Sequence, residues 1–399
     1  MKFFCLKRGN SPFKSKGFVI TITGLIVTVF IYLLSVTVLT KDIKKTQNLQ
    51  RVTKNNKIHI VSLIKGDKDL SYMDALIKSI LYHQKRFRCQ NKRCCLSDFC
   101  KQNKNRNFQC SHKKILKTSG PITFHFITDK PTQLKFQKME QNWQLINMKF
   151  QFYEYQRYLN KIDWVLSKHS SDIRSCLKLL LPEILPKYVR QVIVLDTCLL
   201  LNGDINELWG HFKYFKTSQI LGVTMEQNPK FEAIMKSLIK GWRGYGYNSG
   251  VVLMDLAKLR SLPWNHLWMS AIKFVMKTAG YLSAGEQDVI NLIMLRNNEI
   301  FYEIPCEWNI QLSSGVDTHR CPVSWLTENS LLNSGDLIYG KQPKIVHLNH
   351  QVKPEDLDLK NILNVDTNVS LTTYNANLLY MVYLKEYFKY RHISQKCFY

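Results

Sequence analysis

The sequence predicts an α/β domain on a largely parallel sheet, carried behind one N-terminal transmembrane helix. Three observations carry that prediction. Apolar runs rich in β-branched residues alternate with helical periodicity from residue 58 onward, and an uncharged run of membrane-spanning length fills residues 17–40. The chain of 399 residues is 45% hydrophobic with 20 Phe, 19 Tyr and 8 Trp, which is enough to bury a sizeable core and excludes a mostly disordered protein.

Residues 1–16 contain Lys2, Lys7, Arg8, Lys14 and Lys16 without an acid, which predicts a cytoplasmic tail. Residues 17–40, "GFVITITGLIVTVFIYLLSVTVLT", cover roughly 36 Å as a helix, enough for a bilayer core of about 30 Å. Lys41, Lys44, Lys45 and Arg51 follow, so the charge asymmetry is partial, but the pattern is that of a type II signal anchor. Residues 41–57 lack periodicity and read as a stem. Everything beyond is expected in a lumen or outside the cell, and the cysteines agree: Cys5 precedes the span and the other ten of 11 follow it. Five of them, Cys89, Cys94, Cys95, Cys100 and Cys110, crowd between His83 and His112. Their spacings match no regular zinc pattern, and a disulfide-stapled surface loop is the expectation over zinc. Asn368-Val369-Ser370 is a sequon. The net charge of +26 would suit a polyanion, but no nucleic-acid motif accompanies it; it reads as Lys-rich solvated surface, with no nucleic-acid partner.

From residue 58 the elements follow in order. "IHIVSLI" is a strand ending at a Lys65-Gly66-Asp67 turn, and "SYMDALIKSILYH" spaces Met73, Leu76, Ile77 and Ile80 as an amphipathic helix. "ITFHFITD" is the next strand, Gln133 to Trp143 a helix, "KFQFYEY" a strand, and "SCLKLLLPEILP" a helix interrupted at Pro182. "VIVLDTCLLLNGDINELW" then gives a strand, an acid, a thiol, a turn and a helix. "GVVLMDLAKLRSL", Glu286 to Arg296 and "KIVHLNH" continue the mixture without a linker to a second domain. Asp67, Asp129 and Asp196 each follow a strand, so all three can face the crevice where parallel sheets gather ligands. If strand geometry persists past Leu195, Asp196 and Cys198 point to the same side and can share an ion. Two carboxylates there would suit Mn²⁺ or Mg²⁺; a thiolate is a softer ligand.

Five segments in order, "VIVLDTCLLLNGDINELW", "GYGYNSGVVLMDLAKLR", "GEQDVINLIML", "IPCEWNIQLS" and "KIVHLNHQVKP", resemble the family 8 glycosyltransferases, and most closely the xylosyltransferase domain of the LARGE-type xylosyl/glucuronyltransferases. The likeness covers residues 58–395, with 88–115 as a Cys-rich insertion. It implies a retaining transferase of the GT-A (Rossmann-like) fold that uses a UDP-sugar, xylose being the expected sugar, a glycan or glycoprotein acceptor and Mn²⁺, on a Golgi membrane with the catalytic domain lumenal. By the same resemblance Asp196, Cys198 and His347 hold the metal, Cys198 standing where the family has a second acid. Gly66, Lys178, Asp196 and Lys353 meet the donor, and Asn248, Gln287 and Asp288 surround the reacting carbon, with Glu286 in the place of an Asp. Trp308 and Asn309 line the acceptor side, and Cys321 is the expected disulfide partner of Cys306. Retention is compatible with front-face attack and with a covalent intermediate. The alternative function is a catalytically inactive relative that binds a glycan or a partner as a scaffold, and Cys198 divides the two readings.

Overall fold

The computed structural model of the chain describes residues 57–87, 94, 120–143, 145–325, 341–350, 352–357 and 376–399. The predicted tail, anchor and stem up to residue 56, the insertion apart from Cys94, and the Asn368 sequon lie outside the described residues. Among those described, no helix is long and apolar enough to cross a membrane.

The alternation of apolar runs folds as expected. In order come β1 (Ile58–Leu63), α1 (Gly66–His83), β2 (Ile122–Thr128), α2 (Lys130–Glu140), β3 (Met148–Glu154), β4 (Gln191–Leu195), β5 (Leu199–Leu201), β6 (Leu221–Met225), α3 (Pro229–Leu238), β7 (Tyr247–Asp255), α4 (Trp264–Ala279), α5 (Glu286–Arg296), β8 (Phe301–Glu303), β9 (Ile310–Gln311), β10 (Ile345–His347) and α6 (Ala376–His392). The main sheet runs β3-β2-β1-β4-β7-β6-β8, and all of its strands are parallel except β7, which pairs antiparallel with β4 and β6. The ends of β4, β6 and β8 and the start of β7 therefore share one edge.

The inner strands β1, β2, β4 and β7 are buried on both faces, which is why they read as nearly continuous apolar runs, whereas the edge strand β3 is only half-buried. Along β4, Val192 and Val194 enter the core layer with α4 and α5, while Ile193 and Leu195 enter the one with α1. The helix expected over 175–186 is instead a 3₁₀ segment, Asp172–Leu180, followed by one α turn, Leu181–Ile184. Pro182 does not interrupt that turn; it sits at its start, where a missing N–H costs no helical bond.

A small sheet, β5-β10-β9, packs beside the main one and sets the register that matters later: His347 on β10 faces Leu199 on β5, just past the β4 turn. α6 closes over α1 and this sheet through Leu379, Val382, Tyr383 and Tyr387. Its C-terminal end is held by Lys78, which pairs with Asp74 within α1 (2.6 Å) and donates to the Arg391 carbonyl (3.5 Å), and the segment after it is held by the Gln395 amide donating to Asp74 (2.7 Å) and by a disulfide between Cys94 and Cys397. Cys94 thus staples the insertion to the C-terminal segment. The expected Cys306–Cys321 disulfide is also present.

One buried polar chain crosses the parallel strands. His59 Nδ1 and His125 Nε2 are 2.9 Å apart, and His125 Nδ1 meets the Tyr153 hydroxyl at 3.0 Å. Burial, with Lys57 nearby, pushes His59 down to about 4; burial and the neighbouring His59 push His125 down to about 3. Both rings are neutral in the folded chain, whereas unfolded histidines titrate near 6.5. The unfolded state therefore takes up more protons below pH 6.5, so stability held at neutral pH is lost as pH falls toward 4. Unfolding free energies from urea titrations between pH 7 and 4 should fall with a slope of up to about 1.4 kcal/mol per pH unit for each histidine. A His59→Phe, His125→Phe double variant should flatten that slope.

Candidate functional site

The site is built where β4 stops. The Asp196 N–H donates to the Gly250 carbonyl (2.9 Å), which pins the first residue after β4 to β7. Its carboxylate is 37% exposed and reaches two partners: Lys178 Nζ at 2.8 Å and His347 Nε2 at 3.6 Å. Lys178 comes from the 3₁₀ segment, and its ammonium also donates to Glu286 (2.6 Å) and to the Ser249 carbonyl (3.0 Å). Burial opposes its charge, yet Asp196 and Glu286 more than offset that, so its pKa lies above the ordinary lysine value. Asp196 lies below the usual carboxylate range, because Lys178 and His347 outweigh its own desolvation.

From Glu286 the contacts continue. Ser249 Oγ donates to Glu286 (2.9 Å), and the Ser249 N–H donates to Gln287 Oε1 (3.1 Å). The Gln287 and Asn248 amides both donate to Glu226 Oε2, each at 2.9 Å, while Glu226 Oε1 accepts the Asn228 N–H (2.8 Å). Asn248 Oδ1 accepts from Asn309 Nδ2 (2.8 Å), which also donates to Thr224 (2.9 Å). With that amide nitrogen spent, Asn309 Oδ1 is an acceptor, so His347 Nδ1 at 3.2 Å must donate to it. The Nε2 lone pair then faces Asp196, and a ring of polar contacts closes on itself.

Burial pushes His347 down to about 4 against the attraction of Asp196, so the imidazole is neutral. Gly250 makes room for it: a Cβ there would lie 2.3 Å from His347 Cε1 and 2.4 Å from Nδ1.

Cys198 departs from the expected alternation. β4 ends at Leu195 and β5 begins at Leu199, so residues 196–198 form a turn, and a turn does not keep the i, i+2 relation of a strand. Cys198 is buried in the cluster that contains Tyr72, Leu200 and Tyr383, and Tyr383 Oη donates to its carbonyl (3.3 Å). Burial raises its pKa despite Lys353 nearby, so it stays a neutral thiol. Among the described residues no three His, Cys, Asp or Glu side chains converge as a metal-binding group.

Other expected residues separate. Asp67 is exposed and pairs with Lys135 (2.7 Å), and Asp129 caps α2 by accepting from Thr132 (2.8 Å). Gly66 supplies the positive-φ start of α1 and gives its N–H to Thr132 (2.8 Å). It is Asp69, three residues on, that meets Thr197 (3.5 Å) beside Asp196. Asp288 is fully buried and turned back on its own helix start, accepting from Ser283 (2.6 Å) and Ala284 (2.9 Å); burial, only partly offset by these bonds, pushes it up to about 6. Trp308 is 3% exposed, packed with Ile205, Leu208 and Ile304 in the core rather than along an acceptor surface. Asn309, fully buried, orients His347 and Asn248 instead of meeting solvent. Lys353 donates to the Leu348 carbonyl (2.6 Å) on the Cys198 side. Sequence reasoning missed Glu226 and Asp69; the signal for Glu226 was an acid directly after an apolar strand, the same signal that marked Asp196.

A family model described as "Glycosyl transferase family 8" matches residues 59–354. The "Xylosyl- and glucuronyltransferase LARGE2s" of Danio rerio is 31% identical over 265 residues, 65% of this chain and 33% of that protein. Its namesake in Gallus gallus is 28% identical over 333 residues, 82% of this chain and 38% of that protein. The chain therefore spans little more than a third of the length of these relatives. Among solved structures, apo mouse xyloside xylosyltransferase 1 superposes with a TM-score of 0.51 at 18% identity, covering 74% of this chain and 98% of that one; the likeness is one of fold, a mixed α/β fold of the GT-A type.

Lys178→Met leaves Asp196 and Glu286 facing each other without their cation. It should lower the unfolding free energy in urea by about 3–5 kcal/mol. Gly250→Ala should displace the His347 ring while the fold persists, visible as shifted imidazole resonances with an unchanged far-ultraviolet circular dichroism spectrum.

Proposed function

The chain belongs to glycosyl transferase family 8, and from that premise we propose that it transfers a sugar, xylose by likeness, from a UDP-sugar to a glycan or glycoprotein acceptor with retention of configuration. The observation that carries this reading is the closed polar ring at the β4 edge, which brings Asp196, Lys178, Asn248, Gln287 and His347 to one place. We place the protein in a Golgi membrane, held by residues 17–40 with a stem to residue 57 and residues 58–395 lumenal, on the strength of the uncharged run and the lumenal excess of cysteine.

The donor set fits a divalent ion in part. Asp196 gives a hard carboxylate, and His347 gives an imidazole lone pair fixed by Asn309, the outer hydrogen bond that metal-ligating histidines use. Cys198, neutral and in the apolar cluster, gives no third hard ligand. Mn²⁺ at this place would be held by Asp196 and His347 and by the donor's own diphosphate oxygens, and it would offset charge on the departing UDP. The chain's own residues do the rest. Lys178 keeps Asp196 aimed, and Lys353 offers a point charge to the diphosphate side. Glu226 fixes which end of the Gln287 and Asn248 amides faces the sugar, by taking their N–H groups. Positioning of that kind holds groups in place before charge develops.

The missing acid favours a second reading, a silent relative that binds a glycan or a partner. Titration of the protein with Mn²⁺ and UDP, alongside UDP-sugar hydrolysis, separates the two. On the enzyme reading the wild type binds UDP in an Mn²⁺-dependent way and turns over at least one UDP-sugar, and Asp196→Asn abolishes both. Absence of binding and turnover in the wild type, restored together by Cys198→Asp, would instead establish the silent relative.

A further inference from the structure

Beyond the polar ring, along the same sheet edge, a cleft of about 530 Å³ opens between the ends of β6 and β8, the start of β7 and the outer face of α5. Tyr247 and Asn248 are consecutive on β7 and so project to opposite faces of the sheet, which separates the cleft from the amide that serves the reacting centre. The two nevertheless share supports. Asn291, one turn after Gln287 on α5, donates to both the Gln287 and Tyr247 carbonyls (2.9 and 2.8 Å) and accepts the Tyr247 N–H (2.8 Å).

The wall of the cleft is preformed. Gly241, Gly244 and Gly246 all adopt positive φ, and the Trp242 indole donates to the Gly244 carbonyl (2.9 Å), so the loop is folded onto itself. A Cβ at Gly246 would lie 2.9 Å from Phe231, which shows how closely the loop is pressed down. What it presents is Tyr245, 46% exposed, with the Arg320 guanidinium 3.8 Å from its ring centroid; Arg320 is itself held by Glu232 at 2.8 Å. A tyrosine braced in this way is an aromatic platform that loses little freedom on binding. Tyr247 donates its hydroxyl to Glu303 (3.4 Å), and Arg243 and Asn298 complete a polar rim.

The mixture selects a chemistry. An apolar helix would leave Glu303 and Arg243 desolvated without partners, and a polyanion would meet Glu303. A pyranose offers one C–H face for an aromatic ring and a rim of hydroxyls that both donate and accept, which match a carboxylate, an amide and a guanidinium together. The volume falls within the span of small-ligand sites, about 300–1,000 Å³. We propose that this cleft is an accessory subsite for a pyranose residue of the acceptor glycan, remote from the sugar that receives the transfer. Its assignment to the acceptor rests on the transferase reading; the binding of a sugar there does not.

The test is saturation-transfer difference NMR on the full chain in detergent, with the methyl pyranosides of xylose, glucose, galactose, N-acetylglucosamine and glucuronic acid as probes. At least one should receive saturation from the wild type, and its affinity should fall at least about fivefold in both Tyr245→Ala and Glu303→Gln, with Tyr245→Trp retaining it. Thermal unfolding checks that the variants fold, which the exposure of both side chains favours. The inference is overturned if no glycoside receives saturation, or if both variants bind as the wild type does. Mn²⁺-dependent UDP binding by the wild type reports on the transferase reading separately, so either idea can fail while the other stands.

Discussion

One buried ammonium organises the centre of this molecule. Lys178 sits between two carboxylates, those of Asp196 and Glu286, that could not both stay charged in so confined a corner without it. Through the same three protons it fixes the Ser249 carbonyl. A 3₁₀ segment, the end of β4, the start of β7 and the first turn of α5 thereby meet at one atom. Each is anchored elsewhere by apolar packing, so the core delivers the backbone to the corner and the ammonium sets its final geometry. Buried polar networks are worth most when every member is satisfied, and the ring from Lys178 through Glu226 and Asn309 back to Asp196 meets that condition.

The thiol at residue 198 has an electrostatic meaning beside that ring. Asp196 already shares its charge with Lys178, so a divalent ion would meet less negative potential than two free carboxylates would offer. The thiol adds none, being neutral and packed against tyrosines. Asp69 lies close enough to influence both residues, and it meets Thr197, the Lys65 N–H and, through its charge, Arg174. The Asp196 side of the site is thus poorer in charge than the motif order suggests, while its histidine and amides are held firmly by hydrogen bonds.

Much of this was legible in the sequence because the signals were local. Apolar runs such as "IHIVSLI" and "VIVL" fixed the strands, helical spacing fixed α1, and the order of short motifs brought Asp196, Asn248, Gln287 and His347 together on paper as they come together in space. The reversal of β7 was not legible, since a strand buried on both faces reads alike in either direction. Cys198 was misplaced because pattern assumed a strand where the backbone turns. Trp308 and Asn309 were read as surface because an aromatic beside an amide suits a sugar, but the same pair also suits a core that needs an oriented hydrogen bond. Glu226 escaped notice although it too follows an apolar strand, because none of the short motifs includes it and its partners lie 22 and 61 residues away.

The packing of α6 behind Cys198 carries a consequence for how the protein is made. Tyr383 closes on the Cys198 carbonyl across 185 residues, and Cys94 joins Cys397 across 303. During synthesis the turn that holds Asp196 and Cys198 leaves the ribosome long before the helix that covers it. Until then Leu200, Val346 and Leu348 have no lid, and this apolar cluster is exposed to solvent. Contacts of such long range form late and slowly. The side of the molecule that holds Asp196 and Cys198 is therefore the last to be sealed, and a nascent chain interrupted before residue 376 would carry a formed sheet with this cluster uncovered.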